Sequence, residues 1–360
     1  MEVFMKKNLL SVVLSLAIVG TFLTGCGSIS KNDIPAATSV ENTETEQTTE
    51  ITLENEEEYP ITISHYYGET IIEKKPERIV TLGWENQDTP LSLGVAPVGC
   101  SASNYGLSTE NNLHPWSDKA FAALGVTTPN VFNDTDGFDY EAISDAQPDV
   151  ILAAYSGMTE EEYQRLSEIA PVVVFQTAAW QTTWREQTLL NAEGMGMAEE
   201  GKAKVAEVDT LIAEKLAQYP TLSGKNTGFF WINETDLSVF YAYLPTDPRA
   251  NFLLDLGLHI PQSILDLAQD DTAFSVAISH ENANLLDDVD IMIVYGDESL
   301  VEVLQADPLM STIPAVANGA IVLIDAETEL AAATTPSILS IPACIDDYLA
   351  LLNEANEKIQ

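Results

Sequence analysis

The chain has 360 residues, 46% of them hydrophobic and 8% aromatic, and carries 15 basic against 56 acidic side chains, a net charge of −41. Such a balance excludes sequence-independent nucleic-acid binding, which needs cations over phosphates, and an anionic lipid surface would repel it. The length suits two lobes rather than one, and three cysteines supply neither a disulfide framework nor a cysteine-only zinc site.

Residues 1–25 read as an export signal: Lys6 and Lys7, an apolar run from Leu9 to Leu23, then Leu23-Thr24-Gly25-Cys26. The last four residues resemble the bacterial lipoprotein box, which implies a diacyl lipid on Cys26 and no other covalent group. Residues 26–58 hold nine acids against Lys31 and too little apolar surface to offset ordering entropy, the composition of a disordered acidic tether. The expected location is extracytoplasmic, lipid-anchored to the outer face of the bacterial cytoplasmic membrane.

Folding patterns begin at Tyr59. Ile61–Ser64 and Thr70–Ile72 flank Tyr67-Gly68-Glu69 as a hairpin. Ile79–Trp84 reads as a buried strand, followed by a helix-length segment that stops at Leu93-Gly94-Val95-Ala96-Pro97. Asp139–Ile143 then Val150–Ala153 give a short helix and strand, and Val172–Phe175 a further strand. Ala198–Tyr219 has Val205, Val208, Ile212 and Leu216 at helical spacing without internal proline. After it the same order returns: Gly228–Ile232, a helix stopping at Leu256–Pro261, Ser279–Ala283 before Ile291–Val294, and Ile321–Ile324. Alternating strands and helices predict an α/β fold of two lobes, 59–197 and 220–360, each with a mostly parallel sheet flanked by helices. One long helix, 198–219, would join them and limit hinge motion.

In parallel sheets ligands sit beyond the carboxyl ends of strands. That rule selects Trp84 and Glu85 after the first strand, Tyr155 after Val150–Ala154, Trp180 after Val172–Phe175, Trp231 in the second lobe, and Tyr295 after Ile291–Val294. Tyr243 and Arg249 flank a proline-rich loop, and Tyr105 and Trp116 lie on a polar one. Aromatics of this density suit a bulky, partly apolar ligand, although each also suits a core, Trp184 above all. Arg249 is the foremost polar candidate, able to hydrogen-bond oxygens around a chelated metal.

Seven stretches in this order, among them "KKPERIVTLGWENQDTPLSLGVAPVG", "FDYEAISDAQPDVILAA", "TTWREQTLLNAEGMGM", "SHENANLLDDVDIMIV" and "DPLMSTIPAVANGAIVLID", resemble the siderophore-binding branch of bacterial ABC-transporter substrate-binding proteins. That helix-linked type, periplasmic-binding-protein class III, also contains vitamin B12 and haem binders. The resemblance runs from Tyr59 to the C-terminus. It implies capture of a ferric siderophore outside the cell, delivery to an ABC permease dimer, no catalysis and a monomer. It also implies that Glu141 and Glu281, at equivalent places in the internal repeat, dock on permease arginines; helix dipoles alone also place acids there.

A ferric tris-catecholate is a trianion and would meet an adverse field here, so a hydroxamate or mixed siderophore is expected. Haem or a cobalamin-type ligand is the alternative within the fold. A bare-metal site is disfavoured because His65, His114, His259 and His280 do not converge in chain order. A secreted hydrolase acting on a siderophore is the alternative of another class, but no Gly-x-Ser-x-Gly elbow occurs and "HENAN" lacks a second histidine. Cys100 and Cys344 read as buried small hydrophobes.

Overall fold

The computed structural model describes residues 59–359 except positions 269 and 271. The export signal, Cys26 and the acidic tether lie outside the described residues.

The chain opens with an antiparallel hairpin, β1 Ile61–His65 and β2 Gly68–Ile72. Alternation puts Ile63, His65, Thr70 and Ile72 on its buried face. The Thr70 hydroxyl donates to the Val172 carbonyl (2.6 Å), fastening the hairpin to the first lobe. That lobe contains β3 Ile79–Thr81, α1 Asp88–Ser92, β4 Gly99–Ser101, α2 Pro115–Ala123, β5 Val131–Phe132, α3 Tyr140–Asp145, β6 Val150–Ala153, α4 Glu160–Ser167 and β7 Val172–Val174. Its sheet is wholly parallel in the order β5-β4-β3-β6-β7. Successive residues feed opposite cores: Val80, Ile151, Val172 and Val174 pack on one face, Ile79, Val150, Leu152 and Val173 on the other. Burial on both faces explains the continuous apolar runs.

Two helices then lead across, α5 Trp184–Gly194 and α6 Ala198–Leu216. Thr183 and Glu186 form a reciprocal capping box at the start of α5. The α6 helix is the expected connection, but it ends at Leu216, with Tyr219 in the following turn. Its 19 residues span roughly 28 Å. It is bedded rather than free: a Cβ on Gly201 would lie 2.4 Å from Ala192 Cβ on α5. Arg185 also ties α5 to Asp209 on α6 (2.6 Å) and to Asp255 (2.7 Å).

The second lobe runs β8 Thr227–Trp231, β9 Val239–Tyr243, α7 Pro248–Asp255, α8 Gln262–Leu267, β10 Ser275–Ser279, a 3-10 turn His280–Leu285, β11 Ile291–Tyr295, α9 Glu298–Ala306, a 3-10 turn Met310–Thr312, α10 Pro314–Asn318, β12 Ile321–Ile324, α11 Glu329–Ala333 and α12 Ser340–Asn356. Its sheet order is β10-β9-β8-β11-β12. The β8-β11-β12 part is parallel, but β9 is antiparallel to both β8 and β10. The mostly parallel sheet expected here keeps its parallel β8-β11-β12 part and carries β9 and β10 as an antiparallel edge. The reason is the connection after β8, which spans only positions 232–238. A parallel return needs a dozen residues or more, so the chain can only turn back.

The lobes also meet at a second seam. Trp116 packs on Ala332, Ala333 and Cys344, Gly106 lies against Ala332, and the Leu107 amide donates to the Thr328 carbonyl (3.2 Å). Among the described residues α5 and α6 lead from the first sheet to the second, and this seam is a further contact between the two. Cys344 belongs to this seam and Cys100 to a separate cluster with Leu91, Leu113 and Phe121; both are free thiols. Among the described residues no helix is long and apolar enough to cross a membrane.

Candidate functional site

Between the lobes lies a cavity of about 450 Å³. Trp84, Tyr105, Tyr155 and Trp180 line it from the first lobe, and Trp231, Tyr243, Arg249 and Tyr295 from the second. Local chemistry sets the first wall. Gly83 carries the chain out of β3 at φ +84, where a Cβ would strike Ser156 Cβ and the Tyr155 carbonyl at 2.8 Å. The Trp84 amide then donates to the Tyr155 carbonyl (3.1 Å), fixing the exits of β3 and β6 together. Trp180 also adopts a positive φ, 62°, held by its amide on the Ser156 carbonyl (3.1 Å). Its indole meets Tyr155 edge-on (5.3 Å) and is 44% exposed to the cavity and solvent.

The second wall is built on Asp247. This residue caps α7, accepting from the Arg249 amide (2.9 Å), and Pro248 occupies the first turn. Its carboxylate holds the Arg249 guanidinium in a two-point pair, Nε to Oδ1 at 2.8 Å and Nη2 to Oδ2 at 2.6 Å. The guanidinium lies over the Tyr243 ring, 3.8 Å from its centre. Burial is the largest influence on Arg249 and works against its charge, but the Asp247 hydrogen bonds, the Asp247 charge and the Tyr295 and Tyr243 phenols together outweigh it and drive the guanidinium pKa further up. The cation is permanent, and the Asp247 carboxylate is paired with it. Burial likewise pushes the Tyr155, Tyr243, Tyr105 and Tyr295 phenols up, so all stay neutral. Tyr105 meets Tyr295 edge-on across the cleft (5.6 Å), and the Tyr295 hydroxyl bonds Thr334 (2.9 Å).

Glu85 is a correction. It directly follows Trp84 but adopts φ 55°, which turns it inward; it is 3% exposed and does not line the aromatic cavity. Its Oε2 accepts from Trp116 Nε1 (2.9 Å), and Oε1 lies 3.2 Å from His114 Nε2. Burial raises the Glu85 carboxyl, and burial together with Glu85 raises Asp88 still more, so the pair holds a proton. Asp88 also accepts from Trp116, Ser117 and, across the lobe seam, Ser337. Glu85 is thus part of a buried polar knot behind the site. Trp116 belongs to the same knot, and Trp184 is helix packing, its Nε1 donating to Asp255 (2.9 Å).

Asp247, Phe274 and Thr335 also line the cavity and escape the strand-end rule. Phe274 precedes Ser275, the residue opposite Tyr243 in the β9–β10 pair, so reading that pair would have found it. Glu141 is exposed in the first turn of α3, and Glu281 is exposed in the 3-10 turn before β11. The histidines are dispersed: His65 bonds Thr70 in the hairpin, His114 is buried beside Glu85, and His280 bonds Asp307.

Comparison with known proteins places this geometry in context. The family model described as periplasmic binding protein matches residues 79–328. The solved structure of PiaA from Streptococcus pneumoniae in complex with ferrichrome is 42% identical, with a TM-score of 0.80 over 83% of this chain and 100% of that one. The "Probable siderophore-binding lipoprotein YfiY" of Bacillus subtilis is 27% identical over 215 residues, which cover 57% of this chain and 59% of that relative. The Fe(3+) dicitrate-binding periplasmic protein FecB of Escherichia coli is 24% identical over 75% of this chain and 84% of its own. With the matched segment spanning both sheets, the connecting helix and the aromatic cleft, this chain belongs to the periplasmic binding protein family.

Proposed function

We propose that the protein captures a ferric siderophore with an uncharged, hydroxamate-type iron centre and hands it intact to an ABC importer. The observation that carries this is the charge of the cleft. Arg249 is the one cation among its lining residues, and Asp247, 2% exposed, already neutralises it. Seven further lining residues are aromatic rings of Trp and Tyr with neutral side chains. A trianionic catecholate would be desolvated there without compensating charge, whereas a neutral chelate loses little and gains ring contact. The relatives' names support a ferric chelate as the cargo class, and the ferrichrome complex of a 42% identical neighbour supports the hydroxamate type.

In this reading Trp84, Tyr155 and Trp180 grip the chelate from one lobe. Trp231, Tyr243 and Tyr295 grip it from the other, and Arg249 donates to the metal-bound oxygens. Lobe movement is small because α6 is bedded on α5 and the Trp116 seam restrains the far side. Glu141 and Glu281 present exposed carboxylates for the two permease subunits, where such pairs set orientation and encounter rate more than affinity. The lipid on Cys26 and the acidic tether keep the body near the importer. The test is a tryptophan-fluorescence titration with a ferric hydroxamate and a ferric tris-catecholate, with mass spectrometry of the released ligand. The reading requires tighter binding of the hydroxamate and its unchanged recovery; preference for the catecholate, or a cleaved product, rejects it.

A further inference from the structure

A second cavity, about 310 Å³, opens in the first lobe and shares Trp84 and Trp180 with the aromatic cleft. Its chemistry is the opposite of its neighbour's. Its lining contains no Lys, Arg or His but includes Asp134, Glu162 and Gln87. Two of its hydroxyls are already committed, whereas the buried Ser103 hydroxyl and Trp84 Nε1 have no partner. Ser101 gives its hydroxyl proton to Asp134, and Ser156 gives its own to the Ala153 carbonyl (2.9 Å). The Gln87 amide supports Glu85, while the buried Gln87 side-chain carbonyl has no partner. Gln87 is 2% exposed, so this orphaned acceptor is an independent mark of a missing donor. Burial also raises the Asp134 carboxyl, the direction expected of a carboxylate without a cation beside it. Trp180, the shared wall, cannot retreat freely: a Cβ on the facing Gly157 would sit 2.3 Å from its Nε1.

We propose that this cavity receives a cationic, hydrogen-bond-donating arm of the ligand, a primary ammonium on an alkyl chain, while the ferric centre sits in the aromatic cleft. Asp134, Glu162 and Gln87 accept from the ammonium, and the indoles of Trp84 and Trp180 line its entrance, the best rings for a cation. The inference rests on the ferric-hydroxamate reading of the cleft. It adds that the protein distinguishes ligands by a peripheral charge remote from the metal.

The test compares a linear ferric trihydroxamate bearing a free terminal ammonium with the same chelate N-acetylated, with a cyclic neutral trihydroxamate as reference. The wild-type protein should bind the ammonium form about tenfold more tightly than the acetylated form. Asp134→Asn combined with Glu162→Gln should erase that preference and leave affinity for the acetylated form and the cyclic reference unchanged. Both changes preserve acceptors, and Gln at 162 keeps the capping box with Thr159, so unchanged melting temperatures verify folding. Equal binding of the two linear forms, failure of both while the cyclic reference binds, or a preference untouched by the double variant overturns the inference alone. Failure of all three chelates overturns the reading of the cleft and this inference with it.

Discussion

Asp247→Asn tests the charge argument at a single atom pair. The carboxylate accepts two hydrogen bonds from Arg249 and one from its amide. Asparagine keeps one acceptor and the helix cap but removes the counter-charge, so the cleft gains a net positive charge. Three negative charges on a catecholate at ~6 Å from the guanidinium would gain about 2 kcal/mol with water-like screening. Salt at physiological strength reduces this to about 1 kcal/mol. Catecholate affinity should therefore rise roughly 5- to 30-fold at low to moderate salt, since about 1.4 kcal/mol is tenfold. A neutral hydroxamate should change by no more than about threefold. The fold should lose roughly 1–2 kcal/mol, less than for a fully buried pair, because the Arg249 side chain is 21% exposed. Parallel fluorescence titrations at two ionic strengths read both ligands. Catecholate affinity that does not move, or that already exceeds the hydroxamate's in the wild type, refutes the reasoning.

Three other predictions follow from separate parts of the structure. Gly157→Ala places a Cβ 2.3 Å from Trp180 Nε1 and should weaken chelate binding about tenfold by displacing the indole; calorimetric titration measures it, and unaltered affinity would show that Trp180 is not held in place by this contact. Burial raises both the Glu85 and Asp88 carboxyls in the folded chain, so the unfolded chain binds fewer protons above the ordinary carboxylate range and stability falls as pH rises through it. Glu85→Gln should therefore lessen the loss of melting temperature between about pH 5 and pH 8 by a few degrees, and a parallel curve for the variant would contradict the assignment. Glu141→Ala with Glu281→Ala should leave the ligand dissociation constant unchanged while reducing cellular uptake of the iron chelate several-fold; uptake equal to wild type would remove both from the docking surface.

The positions that the sequence alone reveals are those where one strand's course decides the outcome. Trp84 and Tyr155 follow β3 and β6 and Tyr295 ends β11, strands whose continuous apolar runs are visible without any tertiary knowledge, and the ends of parallel strands converge on one edge. Glu85 defeats the same rule because a backbone angle at one residue, φ 55°, turns its side chain to the rear, where Trp116 and Asp88 await it. Phe274 is invisible because it reaches the cleft through the register of β10 on β9, two strands separated in the chain by α7 and α8. Thr335 reaches it through the turn between α11 and α12, with no chemical pattern of its own. The acidic cavity beside the cleft combines residues from near α1, from β4, from the segment after β5 and from α4, whose meeting only the folded sheet defines.

The proposed function requires an electrically balanced aromatic cleft that holds a neutral ferric chelate between two lobes. Titration of the purified protein with ferrichrome, followed through indole emission, tests it most directly. The structure predicts saturable quenching at one chelate per chain, lost when Trp84 and Trp180 are both replaced by alanine in a protein that still melts cooperatively. Absence of saturable quenching, or quenching that persists in that double variant with unchanged affinity, would contradict it.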